Sequence, residues 1–137
     1  MARPTDVILS IAAGGAVGSV ARYLVAKAIQ DHFGSAFPAG TLVVNLAGCI
    51  VLGFVMRIAL DTGEFSPTTR ALLTTGFCGG FTTFSTFAWE TIALVEEGAL
   101  RRAAMYMGGS LLAGLAGIWL GTAAARLLLS AVRHEPA

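Results

Sequence analysis

Hydroxyl and aromatic side chains alternate in the stretch GFCGGFTTFSTF, residues 76–87, inside a long apolar part of the chain. Phe84 and Phe87 are three residues apart and therefore share one face of a helix. The edge of a phenyl ring is electropositive, so rings presented edge-on attract an anion but bind it only weakly. Ser85 and Thr86 add hydroxyl donors beside them. The pattern indicates a path for a small anion, with ordinary core or lipid contact of the two rings as the alternative.

The same stretch contains residues that weaken a helix. Gly79 and Gly80 are adjacent, and glycine is unfavourable in a helix interior. Non-helical backbone is tolerated at membrane depth where it is buried in protein or lines a cavity. The hydroxyls that follow can satisfy backbone groups that a break sets free, and freed carbonyls are a ready cation site. We therefore expect this helix to be broken near the middle of the membrane.

Two other apolar segments carry polar groups at helical spacing. Thr41, Asn45 and Gly48 share one face, and the Asn45 amide can donate into a path for a hydrogen-bond acceptor. An interhelical hydrogen bond is the alternative for Asn45. Tyr106 and Ser110 also share a face, either along the same path or as packing hydroxyls.

Two charged residues lie at the ends of apolar segments. Arg22 ends the first one and is expected to extend its side chain to the membrane interface. Glu90 closes the polar stretch of the third segment, as part of a vestibule or as an interfacial anchor, and the sequence shows no partner for it.

The elements that must position these residues follow from the charge pattern. The chain has 137 residues, of which 12% are charged, against about 25% in soluble domains. Residues 7–21, 32–56, 71–89 and 103–125 carry no Asp, Glu, Lys or Arg. A spanning helix needs about 20 apolar residues. We predict an all-α membrane protein, a single domain over residues 1–137, with four transmembrane helices at about 6–29, 40–60, 67–96 and 100–130.

The basic residues are almost evenly divided between the two predicted sides. Five lie on one side and four on the other: Arg3, Arg57, Arg70, Arg126 and Arg133 against Arg22, Lys27, Arg101 and Arg102. This bias is too weak to set one orientation. Insertion in both orientations, followed by antiparallel pairing, is therefore expected. The formal charge of +1 gives no basic patch for nucleic acid.

Small residues indicate where the helices pack. Gly14/Gly18, Gly76/Gly80 and Gly117/Gly121 are pairs with glycine spacing that lets backbones approach closely. Cys49 and Cys78 lie in separate apolar runs without a metal-binding or disulfide pattern, so we expect both thiols to be free.

At these residues the chain resembles the fluoride channels of the Fluc (CrcB) family. The resemblance covers GGAVGSVARY (14–23), GTLVVNLAGC (40–49) and above all GFCGGFTTFSTF (76–87), and is weaker in the fourth helix. It implies an antiparallel homodimer in the bacterial inner (plasma) membrane. Two pores per dimer would conduct fluoride passively out of the cytoplasm.

The resemblance also implies roles for individual residues. Asn45, Phe84 and Phe87 would line the pore, Ser85 and Thr86 would belong to a polar track, and Tyr106 and Ser110 would line the pore from the fourth helix. A structural sodium ion would lie on the dimer axis, bound by the main-chain carbonyls of Gly79 and Thr82 from each subunit. Arg22 matches the arginine of the family's first helix.

Two other functions fit four short helices. A proton-coupled transporter of the small multidrug-resistance kind would need a carboxylate embedded in the first helix, and residues 7–21 contain none. A non-transporting membrane scaffold would explain the glycines but not the alternation of hydroxyls and phenyl rings. No nucleophile–base pair or phosphate-binding loop is evident, so we do not expect an enzyme.

Overall fold

The computed structural model describes residues 3–34 and 36–133, and within them every regular element is helical. The elements, in chain order, are α1 (Pro4–Phe33), α2 (Ala39–Thr62), α3 (Pro67–Ala71), a π-helical segment (Leu72–Cys78), α4 (Gly79–Phe81), α5 (Phe84–Glu96) and α6 (Leu100–Arg133). Helices α1, α2 and α6 are long and apolar enough to cross a membrane. The chain is therefore a multi-pass α-helical membrane protein.

Proline and glycine punctuate the helix ends. Pro4 and Pro67 occupy the first turns of α1 and α3, where a missing N–H costs nothing. Gly34, Gly63 and Gly98 have positive φ angles of 77°, 66° and 72° at the ends of α1, α2 and α5. Residues with a side chain rarely adopt such angles, so these glycines allow the chain to turn sharply after each helix.

The predicted third helix, 67–96, is divided in two. Its first half is residues 67–81, comprising α3, the π-helical segment and α4, and its second half is α5. Thr82 and Thr83 between the halves have extended backbone, with ψ angles of 159° and 119°. We call Thr82–Thr83 the break. The adjacent glycines Gly79 and Gly80 remain helical, so the break lies just after them and not at them.

Glycines bring the helix backbones into contact along two seams, as the sequence predicts. Along α1, a Cβ on Gly14 or Gly18 would overlap main-chain oxygens of the π-helical segment, and one on Gly80 would lie 2.6 Å from the Gly15 oxygen. Between α2 and α6, a Cβ on Gly117 would lie 3.0 Å from a Leu46 methyl carbon, and one on Gly121 would overlap the Ile50 oxygen. All three predicted glycine pairs are thus confirmed as sites of close packing.

The second seam gives a direct test of this packing. A methyl group at Gly121 would lie 2.9 Å from both the Ile50 carbonyl carbon and the Phe54 nitrogen, and backbone cannot move aside as a side chain can. We expect Gly121→Ala to destabilise the protein by about 3 kcal/mol, the upper end for overpacking. Gly108→Ala is the matched control, because a Cβ there meets nothing within 4 Å. Thermal unfolding in detergent measures both, and equal midpoints would contradict the packing.

Candidate functional site

The side chain of Asn45 fills the break in the third helix. Its Oδ1 accepts a hydrogen bond from the Thr83 N–H at 2.8 Å, and its Nδ2 donates to the Thr83 carbonyl at 3.0 Å. One amide from α2 thus bonds to both backbone groups of Thr83, and its oxygen takes the place of the Gly79 carbonyl as acceptor of the Thr83 N–H. The interhelical bond that the sequence left open for Asn45 exists, and it occupies only one of the two Nδ2 hydrogens.

Hydroxyls make further hydrogen bonds at the break, and one of them satisfies a backbone N–H that the break sets free, as the sequence predicts. Thr82 Oγ1 donates to the Cys78 carbonyl at 3.0 Å. Thr83 Oγ1 caps α5 by accepting the Thr86 N–H at 3.2 Å, and it donates to Thr86 Oγ1 at 2.9 Å. Ser85 is exposed, with its hydroxyl 3.5 Å from that of Thr83.

Two carbonyls lose their helical donors at the break. In a continuous helix the Thr83 N–H would bond to the Gly79 oxygen and the Thr86 N–H to the Thr82 oxygen. Here the first bonds to Asn45 and the second to the Thr83 hydroxyl. The Gly79 and Thr82 oxygens are therefore free of those bonds. Main-chain oxygens of this kind suit a hard cation such as sodium, so the residues fit the predicted ion.

A cavity of about 410 Å³ lies between α2, the break, α5 and α6. We call it the α2–α6 cavity. Four of the predicted pore residues line it: Asn45, Phe84, Phe87 and Ser110. Thr82, Thr83 and Cys49 are also among its lining residues. All of its lining residues are uncharged. The structure thus brings together four of the predicted pore residues from three different elements.

Two phenyl rings and one serine hydroxyl of this cavity bear on the predicted anion path. The rings of Phe84 and Phe87 are 5.7 Å apart between centroids and tilted by 46°. The Ser110 hydroxyl is buried and has no hydrogen-bond partner within residues 3–34 and 36–133. A buried donor without a partner is costly, so it is ready to bind an acceptor that enters the cavity. Within the described residues the Ser110 hydroxyl is thus unsatisfied, whereas that of Tyr106 is bonded to Glu90.

A second cavity, of about 380 Å³, lies between α1, α2 and α5. Arg22, Lys27, Thr86 and Glu90 are among its lining residues. Thr83 lines this cavity as well as the α2–α6 cavity, so the break separates the two. Arg22 and Glu90 line this second cavity, whereas Phe84 lines the α2–α6 cavity.

Glu90 has two partners that the sequence did not reveal. Tyr106 donates its hydroxyl to Oε2 at 2.6 Å, and Thr41 donates to Oε1 at 2.9 Å. Tyr106 is fully buried, and its ring lies 5.2 Å from that of Phe87. Tyr106 thus packs against the ring of Phe87, a predicted pore residue, and holds the Glu90 carboxylate by a hydrogen bond. Ser110, one helical turn later, lines the α2–α6 cavity. The two thiols, Cys49 and Cys78, are free as predicted.

A broken helix beside two cavities, with hydrogen-bond donors and phenyl rings in one of them, is the architecture of this multi-pass membrane protein. A sequence model described as "CrcB-like protein, Camphor Resistance (CrcB)" matches residues 9–122. The chain belongs to the CrcB family, as its resemblance predicts.

Curated relatives cover nearly the whole chain. A fluoride-specific ion channel FluC of Chlorobaculum tepidum is 51% identical over 120 residues, which are 88% of this chain and 94% of the relative. The FluC protein of Geobacter sulfurreducens is 49% identical over 121 residues, 88% of this chain and 98% of the relative. That of Aquifex aeolicus is 43% identical over 115 residues, 84% and 93% of the two chains.

Proposed function

We propose that this protein is a fluoride-specific ion channel that lets fluoride leave the cytoplasm passively. The observation that supports the proposal is the α2–α6 cavity, which is lined by Asn45, the two phenyl rings and Ser110, whose hydroxyl has no hydrogen-bond partner in the part of the chain that the structure describes. The relatives described above bear the name of fluoride-specific channels. A family-level likeness and a suitable cavity thus point to the same ion.

Fluoride is a compact, strongly hydrated acceptor of hydrogen bonds. To leave water it needs donors that replace its hydration shell. The Ser110 hydroxyl and the second Nδ2 hydrogen of Asn45 are such donors. Phe84 and Phe87 add electropositive ring edges that attract the ion weakly. Since the described residues that line the cavity include no cationic side chain, the ion is not trapped and can leave again.

We propose further that the working unit is an antiparallel homodimer with four membrane-spanning segments per subunit and two pores. Phe84 is 79% exposed in the single chain, although it lines the α2–α6 cavity, and Trp89 on the same helix is 74% exposed. A second copy packed over the exposed Phe84 ring would close the cavity. The near-even division of Lys and Arg is what insertion in both orientations requires.

A structural sodium ion on the dimer axis completes the proposal. The Gly79 and Thr82 oxygens of each subunit would bind it, because their helical donors are engaged elsewhere. When bound, the ion would supply a positive charge that offsets the cost of placing anions in a low-dielectric region.

Orientation can be measured with reporters fused to the C-terminus. We expect reporters that are active only in the cytoplasm and reporters that are active only outside it to give comparable signals, since the charge bias is too small to choose one orientation. Two lysines added after Arg133 increase the positive charge on the C-terminal side. They should shift the signal to the reporter that is active in the cytoplasm. A single orientation in the native chain would remove the antiparallel dimer.

The proposed function can be tested in bacteria that lack a fluoride exporter of their own. Hydrofluoric acid enters cells uncharged and releases fluoride inside, so a passive channel lets the ion out down the membrane potential. We expect expression of this chain to restore growth in fluoride medium and to lower intracellular fluoride. Unchanged growth and unchanged intracellular fluoride, with the protein present in the membrane, would contradict the function.

A further inference from the structure

Gly48 of α2 faces the break directly. A Cβ built on Gly48 would overlap Cγ2 of Thr82, the first residue of the break. It would also lie 3.3 Å from Cδ1 of Phe81 and 3.7 Å from Cβ of Thr82. Gly48 is buried. The Thr82 methyl group occupies the space that a side chain at position 48 would fill.

Thr82 cannot turn away from this contact without losing a bond. Its Oγ1 donates to the Cys78 carbonyl at 3.0 Å, while its Cγ2 lies against Gly48. Both substituents sit on the same Cβ, so one χ1 rotation moves both. The side chain is therefore held from two sides at once, by the first half of the third helix and by α2.

Gly48 and Asn45 are three residues apart and share one face of α2. Asn45 holds the Thr83 peptide by two hydrogen bonds, of 2.8 and 3.0 Å. Gly48 holds Thr82 by leaving room, in place of a side chain, for the Thr82 Cγ2 methyl group. Both residues of the break are thus fixed by α2: Thr83 by hydrogen bonds to Asn45 and Thr82 by its methyl contact with Gly48.

We propose that Gly48 is a positioning residue that fixes where the third helix breaks. By seating the Thr82 methyl group, it sets the direction in which the chain leaves α4 and so places the Thr82 carbonyl and the wall of the α2–α6 cavity. The inference rests on the proposed fluoride conduction, because conduction is its main readout. It assigns a function to a residue that contributes no polar atom to the site.

The contact can be tested by moving one methyl group across it. Gly48→Ala should lower fluoride efflux from liposomes about tenfold or more, because the added methyl displaces Thr82. In that background Thr82→Ser should restore efflux at least about threefold, since it removes Cγ2 and keeps the hydroxyl. Thr82→Val in the Gly48→Ala background is the matched control. Valine keeps a methyl group against the methyl group added at position 48, and it loses the hydrogen bond to the Cys78 carbonyl. It should restore nothing.

Each variant is also followed by thermal unfolding and by size-exclusion chromatography. Gly48→Ala is expected to stay folded and to lose efflux. If it does not fold, Gly48→Ala with Thr82→Ser should regain both the fold and efflux. The inference is overturned if Gly48→Ala conducts like the native protein, if Thr82→Val restores efflux as well as Thr82→Ser, or if neither does. Failure of the native protein itself to conduct would instead refute the proposed function.

Discussion

Asn45→Asp should reduce fluoride efflux from liposomes about 100-fold or more. A carboxylate within 4 Å of the ion repels it by about 4 kcal/mol at an effective dielectric constant of 20, and each 1.4 kcal/mol is a factor of ten. The same change removes the Nδ2 donor, so the Thr83 carbonyl would face an anionic oxygen where it now accepts a bond of 3.0 Å. Initial rates with a fluoride electrode measure the effect.

Two parts of this effect can be separated with Asn45→Leu. Leucine removes both hydrogen bonds to Thr83 but adds no charge. We expect both variants to be destabilised by about 1–3 kcal/mol, the cost of leaving a buried group unsatisfied. The aspartate variant should conduct less than the leucine variant, because only it repels the ion. Native efflux by the aspartate variant would show that fluoride does not pass Asn45.

Phe87→Ile and Phe84→Ile should each reduce efflux by about tenfold or more, because isoleucine keeps the apolar contact but has no electropositive edge. Phe87 has the more constrained ring, since it contacts both Phe84 at 5.7 Å and Tyr106 at 5.2 Å between centroids. Phe33→Ile is the control, because Phe33 is 66% exposed at the end of α1, outside both cavities. It should leave efflux unchanged.

The comparison among these three variants decides what the rings do. If Phe84→Ile and Phe87→Ile conduct like Phe33→Ile, the rings contribute only bulk, and the alternative of ordinary core or lipid contact holds. If both lose efflux but keep the unfolding temperature of the control, the loss belongs to the ion path and not to the fold.

The location of the break shows how far local sequence rules extend. Two adjacent glycines cost a helix about 1 kcal/mol each, which predicts a weak point at Gly79 and Gly80. Tertiary contact overrides that cost, because Gly80 is held against the backbone of Gly15 and stays helical. The break falls instead at Thr83, where a side chain from α2 offers both a donor and an acceptor. Only the three-dimensional arrangement supplies that partner.

The site residues divide in the same way. Asn45 and Ser110 were identifiable because polar groups inside a membrane segment are expensive and need a reason. The partners of Glu90 were not, because Thr41 and Tyr106 are 49 and 16 residues away in sequence and lie on two other helices. The π-helical segment at Leu72–Cys78 has no local signature either. Its backbone lies against Gly14 and Gly18, a contact that helical periodicity does not encode.

Efflux from liposomes that hold the purified native protein tests the central claim most directly. Vesicles loaded with equal potassium fluoride and potassium chloride are diluted into salt that the protein does not conduct, and a potassium ionophore then removes the electrical barrier. We predict that fluoride leaves rapidly once the ionophore is added, while chloride stays inside. Fluoride retained under these conditions, or chloride released alongside it, would contradict a fluoride-specific channel built around the break and the α2–α6 cavity.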